Sequence, residues 1–266
     1  MTMLQGHGLL PSILLLVLLS MLTSAQARSG EAPLVAAASD LQFALPEIAT
    51  AFEQETGKPV RLSFGSSGNF ARQIRQGAPF SLFLSADEAY VFDLEAAGLT
   101  RGDGVLYARG RLVMIAPPGS PLAEDPGLDA LETALASTAI RRFAIANPDH
   151  APYGQRAREA LERRGLWQQM APLLIYGENV TQAARFATSR DADGGIIAYS
   201  LALAPAVAAR GRYALLPEAW HAPLNQRMVL LEGAGDIAEA FYRYMQAPAA
   251  RTILARYGFE LPADVP

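Results

Sequence analysis

Four short polar segments of the sequence carry residue types that can bind an anion. Each lies where an apolar stretch gives way to a helical pattern, and the four are Ser39-Asp40, Ser66-Ser67-Gly68-Asn69, Pro152-Tyr153-Gly154 and Glu178-Asn179-Val180-Thr181. The first turn of a helix has backbone N–H groups without intrahelical partners and carries the positive end of the helix dipole. Several such turns directed at one point form an anion site without a cationic side chain. Ser, Asn and Asp are also common helix N-caps, so one segment alone indicates little, whereas four favour the anion site.

Two other kinds of chemistry receive less support. A serine hydrolase would use Ser39 or Ser67 as its nucleophile, but the segment Gly65-Ser66-Ser67-Gly68 lacks the G-x-S-x-G spacing and no histidine at a strand end follows in triad order. A metal-cation site would need closely spaced ligands, whereas the sequence after its N-terminal segment has only His150 and His221 and no cysteine. His150 is therefore predicted to be a polar loop residue.

Strands and helices alternate along the sequence. Short apolar runs such as Leu34 to Ala38 and Phe143 to Ala146 are typical of buried strands, and Leu41 to Phe52 has apolar residues at helical spacing. The alternation continues along the chain and predicts an α/β fold with mostly parallel sheets flanked by helices. Because the strand-to-helix junctions of an open parallel sheet share one edge, we expect the four polar segments to lie close together.

The N-terminal segment is typical of an exported protein. Residues 1–27 contain no Asp, Glu, Lys or Arg, and an apolar run from Leu9 to Leu22 precedes the small residues Ala25-Gln26-Ala27. This pattern predicts a signal peptide over residues 1–27 and a free periplasmic or extracellular protein. The sequence has no cysteine, so neither a lipid anchor on cysteine nor a disulfide is expected.

The charge balance bears on the choice of partners. The 26 acidic and 22 basic residues give a net charge of -4, and no basic block is present. Nucleic acid is therefore not an expected partner. The chain after the signal peptide is long enough for one large or two modest α/β domains.

A set of motifs follows in a fixed order along the chain: AAASDL (36–41), FGSSG (64–68), GAP (77–79) with FLSAD (83–87), NPDHAPYG (147–154), GENV (177–180), GIIAYS (195–200) and RYGF (256–259). In this order they resemble the motifs of the periplasmic molybdate-binding proteins of ABC importers. Each motif alone is weak, but the set is specific and covers essentially the whole chain after the signal peptide.

The resemblance implies a two-lobed periplasmic binding protein of type II, in which each lobe is a mostly parallel sheet flanked by helices. Residues 28–110 with 212–266 are expected to form lobe I, and residues 111–211 lobe II. The two crossover segments between the lobes are expected near Tyr107 to Arg111 and near Arg210 to Leu216.

The resemblance also implies the binding residues. Ser39 and Ser67 would each give a backbone N–H and a hydroxyl, Tyr153 and Val180 would give backbone N–H groups, and Tyr199 a phenolic O–H. The expected ligand is molybdate or tungstate, which is transported and is not a cofactor. The expected partners are a permease and an ATPase of an ABC importer, and the expected protein is a monomer without enzymatic activity.

A receptor of the same fold for another anion is the main alternative. Sulfate, a phosphonate or a small carboxylate would suit a similar cleft, and a carboxylate would favour an arginine such as Arg72. Monohydrogen phosphate should be rejected because its proton needs an acceptor in the site. Asp40 could supply that acceptor, but in the first turn of a helix we expect it to face the backbone or solvent.

Overall fold

The computed structural model of the chain describes residues 32–122 and 127–263. The predicted signal peptide lies outside the described residues. Within the described ranges, no helix has the length and apolar character needed to cross a membrane. The fold is built on two five-stranded sheets.

The first sheet contains the N-terminal strands and one strand from the C-terminal part of the chain. Its strand order is β2-β1-β3-β10-β4, and the strands are β1 (Leu34–Ala38), β2 (Arg61–Gly65), β3 (Leu82–Ser85), β4 (Val105–Gly110) and β10 (Leu224–Leu230). β1 pairs in parallel with β2 and β3, whereas β10 is antiparallel to both β3 and β4. Four strands therefore run in one direction and only β10 is reversed.

The second sheet repeats this arrangement with the middle of the chain. Its order is β7-β6-β8-β5-β9, and the strands are β5 (Leu112–Ala116), β6 (Phe143–Ala146), β7 (Leu174–Gly177), β8 (Gly195–Ala198) and β9 (Arg212–Leu215). β6 is parallel to β7 and β8, and β5 is antiparallel to β8 and β9. Only β5 is reversed, so the prediction of a mostly parallel sheet in each lobe is confirmed. We call the two sheets with their helices the first lobe and the second lobe.

Helices flank both sheets. They are α1 (Ala44–Thr56), α2 (Ser67–Arg75), α3 (Ala89–Glu95), α4 (Leu128–Ala136), α5 (Pro152–Arg163), α6 (Trp167–Met170), α7 (Val180–Ala187), α8 (Tyr199–Ala202), α9 (Pro205–Ala208), α10 (Asp236–Tyr244) and α11 (Pro248–Arg256). Among the described residues, three short 3-10 helices lie at Ser39–Leu41, Ala171–Leu173 and Glu218–Trp220. The first of these directly follows β1, so α1 begins later than the periodicity predicts.

The first crossover between the lobes lies within the predicted range, whereas the second lies later than predicted. β4 extends to Gly110 and β5 begins at Leu112, so the first crossover is confined to the vicinity of Arg111. The predicted second crossover contains β9, which pairs with β5 in the second sheet. The boundary at residue 212 is therefore wrong, because residues 212–215 form an edge strand of the second lobe and the chain returns only after it.

The C-terminal helices complete the core of the first lobe. Phe52 of α1 is buried, and its ring makes edge contacts with Phe241 at 5.1 Å and with Tyr244 at 5.3 Å. Such aromatic pairs stabilise a core beyond the area that they bury. Helix α1 from the N-terminal part of the chain and helix α10 from its C-terminal part therefore share one core.

Replacing Phe52 with alanine tests this shared core. Phe52→Ala should lower the free energy of unfolding by about 3 to 5 kcal/mol, because the buried ring would leave a cavity. Phe92→Ala is the control, since Phe92 is 40% exposed and should cost less than about 1 kcal/mol. Urea unfolding measures both variants, and an equal loss in the two would contradict the packing described.

Candidate functional site

A small cavity lies between the lobes where strands of both sheets end. Its volume is about 10 Å³, which is on the order of the space that one water molecule needs. It is lined by Ala38, Ser39, Asp40, Gly65, Ser66, Ser67, Ala86, Ala151, Pro152, Tyr153 and Val180. Four of the five predicted binding residues are among them, so the structure brings together segments that are far apart in the sequence.

The first lobe contributes two serines to the cavity. Ser39 is the residue that follows β1, and Ser67 is the first residue of α2 after β2. The Ser67 hydroxyl oxygen accepts a hydrogen bond of 3.0 Å from the N–H of Ala86. Because that bond occupies the oxygen and not the hydrogen, the Ser67 O–H can still donate to a ligand.

The second lobe contributes two helix N-termini. α5 begins at Pro152, and Tyr153 therefore lies in its first turn, where N–H groups have no intrahelical partner. α7 begins at Val180, and the preceding Asn179 accepts a hydrogen bond from the N–H of Gln182 at 3.1 Å. The Asn179 side chain thus satisfies the N–H of Gln182, the third residue of α7. Val180 is the first residue of the helix, so its N–H has no intrahelical partner, and the residue lines the cavity.

Tyr199 is the predicted binding residue that the structure does not place at the cavity. It begins α8, its N–H donates to the carbonyl of Arg111 at 2.9 Å, and its ring lies 5.7 Å from that of Tyr213. The ring also lies close to Gly258, where an added Cβ would lie 2.6 Å from two ring carbons. The partly buried ring thus packs against residues of β9 and of the C-terminal part of the chain, and Tyr199 is not among the residues that line the cavity.

The environment of Asp40 also differs from the predicted one. The residue is 1% exposed and lines the cavity, so it faces neither solvent nor an open helix end. Its Oδ2 accepts hydrogen bonds from Gln226 Nε2 at 2.6 Å and from the Tyr153 hydroxyl at 3.0 Å, while Oδ1 has no described partner. Burial raises the pKa of Asp40 to about 6, and these hydrogen bonds oppose part of that rise.

The lobes also contact each other at the rim of the cavity. His150, predicted to be a simple loop residue, places Nδ1 2.9 Å from the Ser66 hydroxyl and Nε2 3.7 Å from Glu178. Its carbonyl accepts a hydrogen bond of 3.0 Å from the N–H of Gly68, and a Cβ on Gly68 would lie 2.7 Å from that oxygen. Glycine at position 68 thus permits close approach of the two lobes.

Further hydrogen bonds join the two lobes across the cavity, and we call this arrangement of the lobes closed. The Thr181 hydroxyl donates to the carbonyl of Ser39 at 2.8 Å, and the Ser200 hydroxyl donates to the carbonyl of Asp40 at 2.9 Å. Thr181 and Ser200 belong to the second lobe, whereas the two carbonyls that accept their hydrogen bonds belong to the first. The turn after β1 is therefore held by the second lobe as well as by its own sheet.

No lysine or arginine is among the residues that line the cavity. Arg72, the candidate for a carboxylate ligand, is exposed and donates to the Asn69 side chain at 2.6 Å. In the part of the chain that the structure describes, no group of three His, Cys, Asp or Glu residues could hold a metal ion. The positive potential at the cavity comes from backbone N–H groups and helix ends.

A larger cavity of about 140 Å³ lies on the other side of the turn after β1. It is lined by residues of that turn and of α7 to α9, and none of the predicted binding residues is among them. Its walls are mainly the sides of helices, not their N-termini, so it lacks the converging donors of the smaller cavity.

The buried carboxyl of Asp40 predicts a pH dependence of stability. Its folded-state pKa of about 6 lies above the ordinary 3.8, so the folded state holds its proton more tightly than the unfolded state. The stabilising effect of that proton is lost as the pH rises from about 4 to about 6, a change on the order of 3 kcal/mol. Relative to the wild type, Asp40→Asn should therefore gain stability over this interval.

Urea unfolding of both proteins at several pH values measures this difference. Tyr107→Phe is the control, because burial raises the pKa of Tyr107 well above 10 and its hydroxyl does not titrate in the interval. A difference between Asp40→Asn and the wild type that stays constant with pH would contradict the assignment.

Comparisons with known proteins agree with this geometry. Residues 33–260 match the family described as bacterial extracellular solute-binding protein. The molybdate-binding protein ModA of Rhodobacter capsulatus is 34% identical over 236 residues, which cover 88% of this chain and 89% of the relative. ModA of Azotobacter vinelandii is 34% identical over 231 residues, covering 85% and 89%.

The solved structures include a periplasmic molybdate-binding protein of Azotobacter vinelandii. It superposes with a TM-score of 0.78 at 30% identity and covers 88% of this chain and 100% of that one. The chain belongs to the bacterial extracellular solute-binding protein family, as a relative of the ModA molybdate-binding proteins.

Proposed function

We propose that this protein is a periplasmic receptor that binds molybdate or tungstate between its lobes and delivers it to an ABC importer. The observation that carries the proposal is the cavity formed by Ser39, Ser67, Tyr153 and Val180, which has donors from both lobes and no cationic side chain. The similarity to ModA proteins over most of the chain supports the same ligand class.

The donor set suits a fully deprotonated dianion. Molybdate and tungstate carry no proton at neutral pH, so each oxygen can accept hydrogen bonds and none needs an acceptor. N–H and O–H donors from the two serines, Tyr153 and Val180 match that requirement. Sulfate has the same charge and shape, and its rejection would depend on the radius of the closed cavity.

Asp40 makes hydrogen phosphate the most informative competitor. Its Oδ2 is occupied by Gln226 and Tyr153, whereas Oδ1 is buried without a described partner. A protonated oxyanion, such as hydrogen phosphate or a protonated phosphonate among the alternative ligands, could donate a hydrogen bond to such an oxygen. Binding of phosphate in preference to molybdate would therefore favour that alternative.

Ligand entry requires the lobes to separate, because the closed cavity is close to the size of a single water molecule. Closure around the ligand would then assemble donors from both sides, and the permease would bind the closed form. The protein is proposed to act as a monomer, without a cofactor and without enzymatic activity.

Binding measurements on the mature chain test the proposed ligand and donors. In a thermal-shift panel, molybdate and tungstate should raise the melting temperature, while sulfate and phosphate should not. In calorimetry, Ser67→Ala should weaken molybdate binding by at least about tenfold, because it removes a donor to a charged oxygen.

Tyr199→Phe is the matched control, since it also removes one hydroxyl. It should change the affinity by less than about twofold, because the ring lies outside the cavity wall. Unchanged affinity in Ser67→Ala would contradict the assigned site, and a loss in Tyr199→Phe equal to that in Ser67→Ala would place the phenol among the donors.

One contact favours a second candidate function, a serine hydrolase. Ser66 and His150 are 2.9 Å apart and Glu178 lies 3.7 Å beyond the imidazole, a sequence of groups similar to a catalytic triad. The pair spans the two lobes, however, and the Glu178 side chain is 63% exposed. We therefore interpret it as a contact that closes the rim.

An esterase assay distinguishes these interpretations. The purified chain should hydrolyse p-nitrophenyl acetate no faster than His150→Ala does, because the Glu178 carboxylate is exposed and lies beyond hydrogen-bond distance of the imidazole. Hydrolysis by the wild type that is lost in both Ser66→Ala and His150→Ala would support the hydrolase.

A further inference from the structure

Four buried polar side chains form a hydrogen-bonded cluster beside the cavity. We call Asp40, Tyr107, Tyr153 and Gln226 the hinge cluster. Gln226 Nε2 donates to Asp40 Oδ2 at 2.6 Å and lies 3.1 Å from the Tyr153 hydroxyl, which itself donates to Asp40 Oδ2 at 3.0 Å. The Tyr107 hydroxyl donates to Gln226 Oε1 at 2.6 Å. All four residues are at most 3% exposed.

The hinge cluster connects the two lobes. Asp40, Tyr107 and Gln226 belong to the first lobe, on the turn after β1, on β4 and on β10, whereas Tyr153 belongs to α5 of the second lobe. The contacts of the Tyr153 hydroxyl therefore cross between the lobes. The hydrogen bond of Tyr107 to Gln226 stays within the first lobe.

The cluster lies directly against the first crossover. A Cβ on Gly110, the last residue of β4, would lie 2.2 Å from the Tyr153 hydroxyl oxygen and 2.8 Å from Gln226 Nε2. The closed arrangement thus leaves no room for a side chain at the point where the chain leaves the first sheet. Movement of one lobe relative to the other about this point would separate Tyr153 from Asp40.

Both residues of the crossing hydrogen bond are coupled to the proposed ligand donors. Asp40 follows Ser39 in the same 3-10 turn, and Tyr153 presents its own N–H in the first turn of α5. The Tyr153 side chain is therefore fixed in the first lobe while its backbone belongs to the second. Because Asp40 holds the Tyr153 hydroxyl, the Tyr153 N–H keeps a fixed position relative to Ser39 and Ser67.

We propose that Asp40 and Tyr153 are positioning residues whose hydrogen bond holds the donors of the two lobes in the closed arrangement and so slows release of the bound oxyanion. This inference rests on the proposed function, because it concerns release from the same cavity. It assigns the two side chains no contact with the ligand. Their effect is on the opening of the lobes.

Stopped-flow kinetics with molybdate test the inference, with the intrinsic tryptophan fluorescence as signal. Tyr153→Phe should raise the dissociation rate at least about fivefold and leave the association rate within about twofold, because only the closed form loses a hydrogen bond. Tyr107→Phe is the matched control, since it removes one buried hydroxyl of the same cluster without a contact between the lobes. Its dissociation rate should stay within about twofold of the wild type.

The double variant separates positioning from general destabilisation. In the Tyr153→Phe background, Asp40→Ala, which removes the acceptor of the same hydrogen bond, should add less than about twofold to the dissociation rate, because the two residues act through one contact. An unchanged dissociation rate in Tyr153→Phe, or an equal increase in Tyr107→Phe, would overturn the inference. If Tyr153→Phe does not fold, Asp40→Ala, which removes the acceptor of the crossing hydrogen bond, is compared with Tyr107→Phe, and the same increase in dissociation rate is expected for Asp40→Ala alone. A wild-type chain that does not bind molybdate would instead overturn the proposed function.

Discussion

The site depends on holding a doubly charged anion without an opposite charge. The residues around the cavity include no lysine and no arginine, and the one ionisable acid among them, Asp40, carries the same sign as the proposed ligand. Attraction must therefore come from oriented N–H and O–H dipoles. A hydrogen bond to a charged group contributes about 1.5 to 3 kcal/mol, so several donors are needed to offset desolvation and ordering.

This requirement explains why the site lies between two lobes. One helix N-terminus supplies only a few N–H groups, and a small ion has oxygens on all sides. The ends of β1 and β2 provide the turn at Ser39 and the start of α2 at Ser67, while α5 and α7 approach from the other sheet. In the proposed function closure and ligand binding are one event, and His150, Thr181 and Ser200 contribute contacts across the cleft.

The sequence predicts well the features that depend on neighbouring residues. The strand-to-helix junctions of both sheets could be identified because apolar runs and N-cap residues are local signals. The same local signals identify the four polar segments, whereas the resemblance to the molybdate-binding proteins implies Ser39, Ser67, Tyr153 and Val180, which the cavity brings together. The edge strand β9 was missed because a short exposed strand carries little apolar pattern, and its pairing with β5 decides its place.

Other features depend on contacts that no local pattern encodes. The orientation of Tyr199 is determined by Tyr213 and Gly258, and the bond between Tyr153 and Asp40 joins residues 113 positions apart. A buried carboxylate was not expected in the first turn of a helix, where an acid normally interacts with the helix end and solvent. Its partners Gln226 and Tyr153 come from a different strand and from the other lobe.

The central claim is that backbone and hydroxyl dipoles from both lobes hold a small dianion. A crystal structure of the mature chain with tungstate measures this most directly, because the anomalous signal of tungsten locates the ion. The account predicts the ion within hydrogen-bond distance of Ser39, Ser67, Tyr153 and Val180, with no cation beside it. An ion held mainly by an arginine or a metal, or contacted by one lobe alone, would contradict it.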